Sequence, residues 1–109
     1  MRLQIKKKEL EAIIAGTKKT EWRSPSEYNK TLLFVRRECD NMRVGNNEIK
    51  EITFINGYRQ DSLKVTVAVK FIRMVKFTKD IKLIDDYFEA KEGMFAIEIS
   101  LGDIIKEVE

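Results

Sequence analysis

The sequence predicts a mainly β protein of the α+β class, folded as a small mixed barrel of about six to seven strands with one N-terminal helix. Three observations lead to this prediction. Most segments alternate apolar and polar side chains with the period of a β-strand, and one early segment alone has helical spacing. A single core in 109 residues must also be covered without long exposed strand edges, which a barrel achieves.

The N-terminal segments read as a strand, a helix and a second strand. Residues 3–5, Leu-Gln-Ile, read as a short first strand, and residues 7–15 carry apolar side chains at i, i+3 and i+4, as one face of a helix does. Gly16 follows where a left-handed helix cap favours a residue without Cβ. Residues 18–23 continue as a strand, which Pro25 ends in a loop.

The remainder of the chain is predicted to be mostly strand. Its expected strands share an alternating or continuously apolar pattern and cover residues 31–37, 49–55, 63–71, 94–101 and 104–108. Polar residues 38–48 read as a loop, residues 56–62 as a turn, and residues 85–92 as one or two helical turns.

Two irregularities are expected in the long strands. From residue 63 to Phe71 the apolar side chains occupy odd positions, whereas Ile72 and Met74 are even. A bulge or bend after Phe71 would let one long strand serve two edges of a closed sheet. Gly102 is a second candidate for a bulge.

Composition excludes several classes of function. The chain has no histidine, which removes histidine-based triads and histidine metal ligands, and its five glycines are too scattered for a phosphate-binding loop. Its one cysteine, Cys39, can form neither an internal disulfide nor a zinc site. The acids Asp85 and Asp86 suit a helix N-terminus better than a cation site. We expect no cofactor and no metal.

No segment predicts a membrane partner. The longest apolar runs have four residues, far short of the roughly 20 that a membrane span needs. The charged N-terminus lacks the apolar stretch of a secretory signal, so we expect a reduced, cytoplasmic protein.

Charge is distributed unevenly along the chain. Residues 1–79 hold 18 Lys and Arg against 9 Asp and Glu, whereas residues 80–109 hold 3 against 9. This asymmetry is compatible with a polyanion-binding face that has the acids on the opposite side. It is equally compatible with two halves that neutralise each other across a folded surface.

Residues 16–23, GTKKTEWR, concentrate three cations, a carboxylate and the chain's one tryptophan. In a regular strand Glu21 and Arg23 share a face, while Lys18 lies on the other. Lys18 can therefore meet Glu21 only if it lies in the turn after Gly16, before regular pleating begins.

This segment resembles the motif of a known family. A helix ending in glycine, followed by G-x-K-x-x-E-x-R at Gly16, Lys18, Glu21 and Arg23, is similar to the activating-signal-cointegrator homology (ASCH) domains of the PUA-like superfamily. Residues 54–58 are also similar to many members. The resemblance implies that residues 1–109 are a single ASCH domain, a PUA-like β-barrel with a cleft that binds RNA or a nucleotide.

The predicted nucleic-acid-binding residues combine cations, aromatic rings and one carboxylate. Lysine and arginine can bind phosphates, arginine can also read a base edge, exposed aromatic rings can stack on bases, and the glutamate can accept from a base amino group or position an arginine. The set comprises Lys18, Glu21, Trp22, Arg23, Arg36, Arg37, Tyr58 and Arg59.

Structural interpretations compete with several of these roles. Trp22 has the volume of a core residue, Glu21 and Arg23 could form a structural ion pair, and Arg36 with Arg37 could be a solvated strand end. A protein-interaction domain also stays open, although no sequence feature supports a particular protein partner.

An enzymatic alternative is a small amidohydrolase acting on a modified nucleoside. One branch of the family that the motif resembles deacetylates N4-acetylcytidine with a lysine and a threonine of the motif. Lys18 matches the lysine, but Glu21 occupies the threonine position, and Thr20 is one residue away. Lys18 and Glu21 could activate a water if burial lowered the lysine pKa. Because the threonine of the motif is missing, we assign no catalytic residue.

Overall fold

The structure is a computed structural model that describes residues 1–82 and 88–108. These residues form a mainly β fold with two helices, organised around a curled five-stranded sheet with the shape of half a barrel. In chain order the elements are β1 (Arg2–Gln4), α1 (Lys7–Ala15), β2 (Thr20–Arg23), α2 (Glu27–Leu33), β3 (Phe34–Arg36), β4 (Arg43–Gly45), β5 (Glu51–Asn56), β6 (Leu63–Lys76), β7 (Ile81–Lys82), β8 (Glu89–Ala90) and β9 (Phe95–Val108).

The five-stranded sheet is mixed and has the order β1-β5-β6-β9-β2. The β1 strand runs parallel to β5, and the other neighbours are antiparallel. Two short antiparallel ribbons, β3–β4 and β7–β8, accompany it. Because β1 and β2 are the two edges of the sheet and α1 connects them, the N-terminal strand–helix–strand unit lies across the open side of the half-barrel.

The two longest strands, β6 and β9, contain 14 residues each and are paired with three shifts of register. The shifts lie between Thr66 and Phe71 of β6, and they move its buried side from Val65 to Ile72. The predicted change of phase is confirmed, but the shifts come before Phe71 rather than after it, and Phe71 itself is 43% exposed rather than buried. Bulges of this kind bend and twist a strand pair, which explains the curl of the sheet.

The predicted Gly102 bulge is also confirmed. Val67 pairs with Ile104 and Val69 with Leu101, so β9 places one extra residue in the interval that contains Gly102. A Cβ at Gly102 would lie 3.2 Å from that of Ala68 on the facing strand.

The core lies on the concave side of the sheet, under α1. Leu10 and Ile13 of this helix are buried against sheet residues such as Phe54 and Ile99. A smaller cluster around Phe77, Ala90 and Ala96 includes the half-buried rings of Trp22 and Phe88.

The prediction for residues 31–37 is wrong in its first half. Residues up to Leu33 belong to α2, and only Phe34–Arg36 form a strand. The Ser26 side chain caps this helix by accepting a hydrogen bond from the Asn29 amide, and Leu33 is completely buried. An apolar run of four residues fits either element, and the cap decides for the helix.

Several other element predictions need correction. The predicted loop 38–48 contains β4, which pairs with β3. Of the helical turns predicted at 85–92, residues 85–87 lie outside the described part of the chain, and Glu89–Ala90 form a strand paired with Ile81–Lys82. The described residues thus form nine strands and two helices, rather than six or seven strands and one helix. The missed strands have only two or three residues, too few to show a period.

Residues 1–82 and 88–108 contain no helix that is long and apolar enough to cross a membrane.

Gly45 allows the β3–β4 ribbon to pack closely against β6. A Cβ at this position would overlap the backbone carbonyl oxygen of Ile72 and lie 2.7 Å from the carbonyl carbon. We expect Gly45→Ala to lower the free energy of unfolding by about 3 kcal/mol, the upper end of the usual cost of overpacking. Gly93→Ala is the control, since Gly93 has φ +83° and open space around it. It should lose about 1 kcal/mol from backbone strain alone. If urea unfolding showed equal losses of unfolding free energy for Gly45→Ala and Gly93→Ala, the close contact between Gly45 and Ile72 would not be the cause.

Candidate functional site

The turn after α1 brings Lys18 to Glu21. Gly16 adopts the left-handed conformation with φ 81°, and the amides of Thr17 and Lys18 both donate to the Ala12 carbonyl at 3.0 and 3.1 Å. Regular strand begins only at Thr20. The predicted glycine cap and the predicted irregularity at Lys18 are both confirmed.

Glu21 is the centre of a buried charge network. Its Oε1 lies 3.3 Å from Lys18 Nζ, and its Oε2 lies 2.7 Å from Arg23 Nη2. Lys18 Nζ also lies 3.7 Å from Oε1 of Glu9 on α1. The side chains of Lys18 and Glu21 are only 1% and 4% exposed. The motif residues thus converge on one point, where two carboxylates balance two cations.

Arg23 connects the two edges of the sheet. Its Nη2 donates a 2.8 Å hydrogen bond to the backbone carbonyl of Gln4, so β2 is held to β1 through a side chain. Its Nε is the one buried side-chain nitrogen or oxygen, among the described residues, without a hydrogen-bond partner. The Arg23 side chain is 23% exposed, so part of the guanidinium remains accessible to a ligand.

A cleft of about 720 Å³ opens above this network, between the two edge strands. We call it the edge cleft. It is lined by Gln4, Ile5, Lys6, Glu9, Glu21, Trp22, Arg23, Ser24, Asn29, Asn56, Gly57, Tyr58 and Phe88.

The edge cleft unites only part of the predicted binding set. Glu21, Trp22, Arg23 and Tyr58 line it, and Lys18 lies beneath it, paired with Glu21. The other predicted cations, Arg36, Arg37 and Arg59, lie outside its lining as well.

Arg36 and Arg37 make local contacts at the β3–β4 ribbon. The Nη1 of Arg36 donates to the Asn41 carbonyl at 3.1 Å, and Arg37 forms an ion pair with Asp40. Asp40 in turn accepts from the Met42 amide at 3.1 Å. These contacts support the interpretation of Arg36 and Arg37 as part of an exposed turn.

Trp22 forms a packed wall of the edge cleft. Its ring stacks on Phe88 at 5.5 Å with an interplanar angle of 16°, and it contacts Phe77 at 5.4 Å. One indole face is therefore covered by protein. Tyr58, at 92% exposure, is the aromatic ring of the edge cleft that is open to solvent.

Sequence reasoning missed the amide side chains that hold the walls of the edge cleft together. Gln4 Oε1 accepts from the Gly57 amide at 3.2 Å, and Asn56 Nδ2 donates to the Ile5 carbonyl at 2.9 Å. Asn29 Nδ2 donates to the Ser24 carbonyl at 2.9 Å. The contacts to Gly57 and Ile5 join segments more than 50 residues apart, so no local pattern reveals them.

Burial raises the pKa of Glu21 above its ordinary value of 4.5, although Arg23 and Lys18 lower it and Glu9 raises it further. A carboxyl group taken out of water favours its neutral form unless partners compensate. Burial therefore outweighs the two neighbouring cations in setting the pKa of Glu21.

The polar groups of the edge cleft suit a ligand with both donors and acceptors. The accessible part of the Arg23 fork donates, and the Oδ1 of Asn56 makes no hydrogen bond within the described residues. The described residues contain no group of three or more Cys, Asp or Glu side chains placed to hold a metal ion.

No protein-family model, curated protein sequence or solved structure matches the chain. Function is therefore inferred from the geometry of the edge cleft and the chemistry of its residues.

We expect Arg23→Ala to lower the free energy of unfolding by about 3 kcal/mol, because it leaves the buried Glu21 carboxylate without its closest partner. The matched control is Arg73→Ala, which breaks an ion pair with Glu98 in which the arginine is 62% exposed. Pairs of that kind contribute at most about 1 kcal/mol. If the two variants lost similar unfolding free energy in urea, burial would not make the Glu21–Arg23 pair more important for stability than an exposed pair.

The stability of the wild type relative to Glu21→Gln should depend on pH. Since the folded protein raises the pKa of Glu21, the stabilisation that this carboxyl contributes is fully present below pH 4.5 and is lost as pH rises through the folded-state pKa. The difference in unfolding free energy between the two proteins should therefore fall from pH 4 to pH 8. A wild type that gains stability over the variant across this range would contradict the direction of the shift.

Proposed function

We propose that this protein is an ASCH-like, PUA-like module that binds RNA and takes one nucleotide unit into the edge cleft. The observation that carries the proposal is the buried Glu21, which holds the Arg23 fork at the base of a cleft of nucleotide size. The curled half-barrel and the G-x-K-x-x-E-x-R segment agree with the PUA-like architecture that the sequence resembles.

The size and lining of the edge cleft support a nucleotide ligand. Small-molecule sites commonly have volumes of about 300–1,000 Å³ and combine apolar walls with a few fixed polar groups. Here Trp22 and Phe88 provide the apolar wall, and Arg23 and Asn56 provide polar groups. A base is planar and apolar on its faces and has donors and acceptors at its edges, which matches this arrangement.

The fixed position of Arg23 favours recognition of a base edge or a phosphate. Contacts to Glu21 and to the Gln4 carbonyl restrict the guanidinium before any ligand arrives. A restricted side chain loses little conformational entropy on binding. Arginine can donate to a phosphate or to the edge of guanine, and because Nη2 of Arg23 is already committed to Glu21 and Gln4, Nη1 is the donor left for such a contact.

The beginning of α1 supports an anionic ligand. Lys6 lines the edge cleft at the N-cap position, and no side chain caps the first turn of the helix. The free amides and the dipole of a helix N-terminus favour a phosphate. Three consecutive lysines stand at residues 6–8, and Glu9 is the one acid of this first turn.

We do not extend the proposal to the amidohydrolase alternative. Its lysine, Lys18, is 1% exposed, lies within ion-pair distance of Glu9 and Glu21, and is not among the lining residues of the edge cleft. A general base must reach the reacting group directly or through one water.

Intrinsic fluorescence gives a direct test, because Trp22 is the chain's one tryptophan and lines the edge cleft. Titration with short single-stranded RNA should change its emission. Tyr58→Ala should weaken binding about tenfold if the ring stacks on a base. Tyr28→Ala removes another exposed tyrosine, one outside the edge cleft, and should have no effect.

A second matched pair tests the phosphate contact at α1. Lys6→Ala should reduce the slope of log K against log salt by about 0.7. Lys7→Ala removes the same charge one position along, from a residue that does not line the edge cleft, and should leave the slope unchanged. No binding of RNA or mononucleotides by the folded wild type, or equal effects within both pairs, would overturn the proposal.

A further inference from the structure

We infer that the RNA is single-stranded and continues from the edge cleft over Tyr58 into a second groove, where Arg2, Arg59 and Lys64 bind its phosphates. This inference rests on the proposed function and adds the path of the strand. We call the second surface the basic groove.

The basic groove adjoins the edge cleft. It has a volume of about 520 Å³, and its lining residues include Arg2, Arg59 and Lys64 but no acid. Gln4, Gly57 and Tyr58 line both surfaces, so the turn after β5 forms the ridge between them.

The ridge is an ordered turn that presents Tyr58 to solvent. Gly57 has φ +114°, and its amide is held by Gln4 Oε1 at 3.2 Å. The Arg59 amide donates to Ser62 Oγ at 3.1 Å, and the Ser62 amide donates back to the Arg59 carbonyl at 3.1 Å. A fixed turn therefore holds a ring that is 92% exposed, and burial in the fold does not account for this ring.

Arg2 and Arg59 of the basic groove lack the carboxylate partner that most other arginines among the described residues have, Arg36 being the other exception. Arg37, Arg43 and Arg73 each form an ion pair with a nearby acid. Within the described part of the chain, Arg2 and Arg59 have no such partner.

Lys64 completes the cationic surface, and no acid of the groove neutralises it. Its Nζ donates to the Gln60 carbonyl at 2.9 Å, which keeps the ammonium beside the turn. Asp61 lies in the same turn but does not line the basic groove. Three cations that have no carboxylate partner among the described residues match a chain of phosphates better than a single anion.

The exposed ring at the ridge indicates a single strand. A base inside a duplex is stacked on both faces, so it can reach neither Tyr58 nor the edge cleft without being unpaired. A strand with one base in the edge cleft, another on Tyr58 and its phosphates in the basic groove uses all three features. The ligand is therefore an oligonucleotide rather than a free mononucleotide.

The test compares RNA hexamers with mononucleotides at two salt concentrations, using two triple variants of equal net charge. The groove variant is Arg2→Ala/Arg59→Ala/Lys64→Ala. The control variant is Lys50→Ala/Lys70→Ala/Lys106→Ala, three exposed lysines outside both surfaces.

The groove variant should bind hexamers at least tenfold more weakly than the wild type at low salt. Its salt slope should fall by about two, from three phosphate contacts of about 0.7 each. Mononucleotide affinity should stay within twofold of wild type, the control variant should keep most of its hexamer affinity, and an RNA duplex should bind more weakly than the hexamer.

Other outcomes overturn the inference in distinguishable ways. Equal losses in the two triple variants would indicate general charge attraction, and mononucleotides or duplexes that bind as tightly as hexamers would exclude the proposed strand path. Hexamer binding that needs Lys6 and Tyr58 but not the groove cations would remove the path and leave the proposed function intact. Failure of all nucleotides to bind the folded wild type would remove the proposed function itself.

Discussion

The buried carboxylate of Glu21 is the constraint on which the rest of the structure depends. An ionised group taken out of water costs several kcal/mol unless charged partners and hydrogen bonds compensate it. Lys18 and Arg23 provide that compensation, and each comes from a different part of the strand–helix–strand unit. Arg23 also donates to the Gln4 carbonyl, so the same network that neutralises Glu21 holds together the two edges of the sheet.

The edge cleft is a consequence of how the half-barrel is completed. The strands β1 and β2 make no backbone ladder with each other, and side chains bridge part of the space between them. A fully hydrogen-bonded barrel would leave no opening here, whereas an unbridged gap would expose the core. Arg23 thus contributes to stability and is also positioned to contact a ligand. The two interpretations of the Glu21–Arg23 pair, structural and ligand-binding, are therefore compatible.

Local features of this fold could be predicted from the sequence, and long-range ones could not. The left-handed conformation of Gly16 and the position of Lys18 in the following turn depend on a few neighbouring residues. Residues 31–33 were misassigned because a short apolar run fits a strand as well as a helix, and a serine cap decided the outcome. Gln4 and Asn56 face the same cleft only because β1 pairs with β5 in parallel, a register that the pattern of neither segment specifies.

Side chains whose positions are explained neither by packing nor by ion pairs are the strongest guide to function. The carboxylate network, the packed Trp22 and the paired arginines all have a structural reason for their positions. The exposed ring of Tyr58 has none, nor do Arg2 and Arg59, which pair with no acid in residues 1–82 and 88–108, yet all three share the surface beside the edge cleft. Exposed aromatic rings and uncompensated positive charge contribute little to stability, but together they favour a flexible, stacked polyanion. Packing does not explain their position at one continuous surface, and this is the observation that supports our proposal of a single-stranded nucleic acid as the ligand.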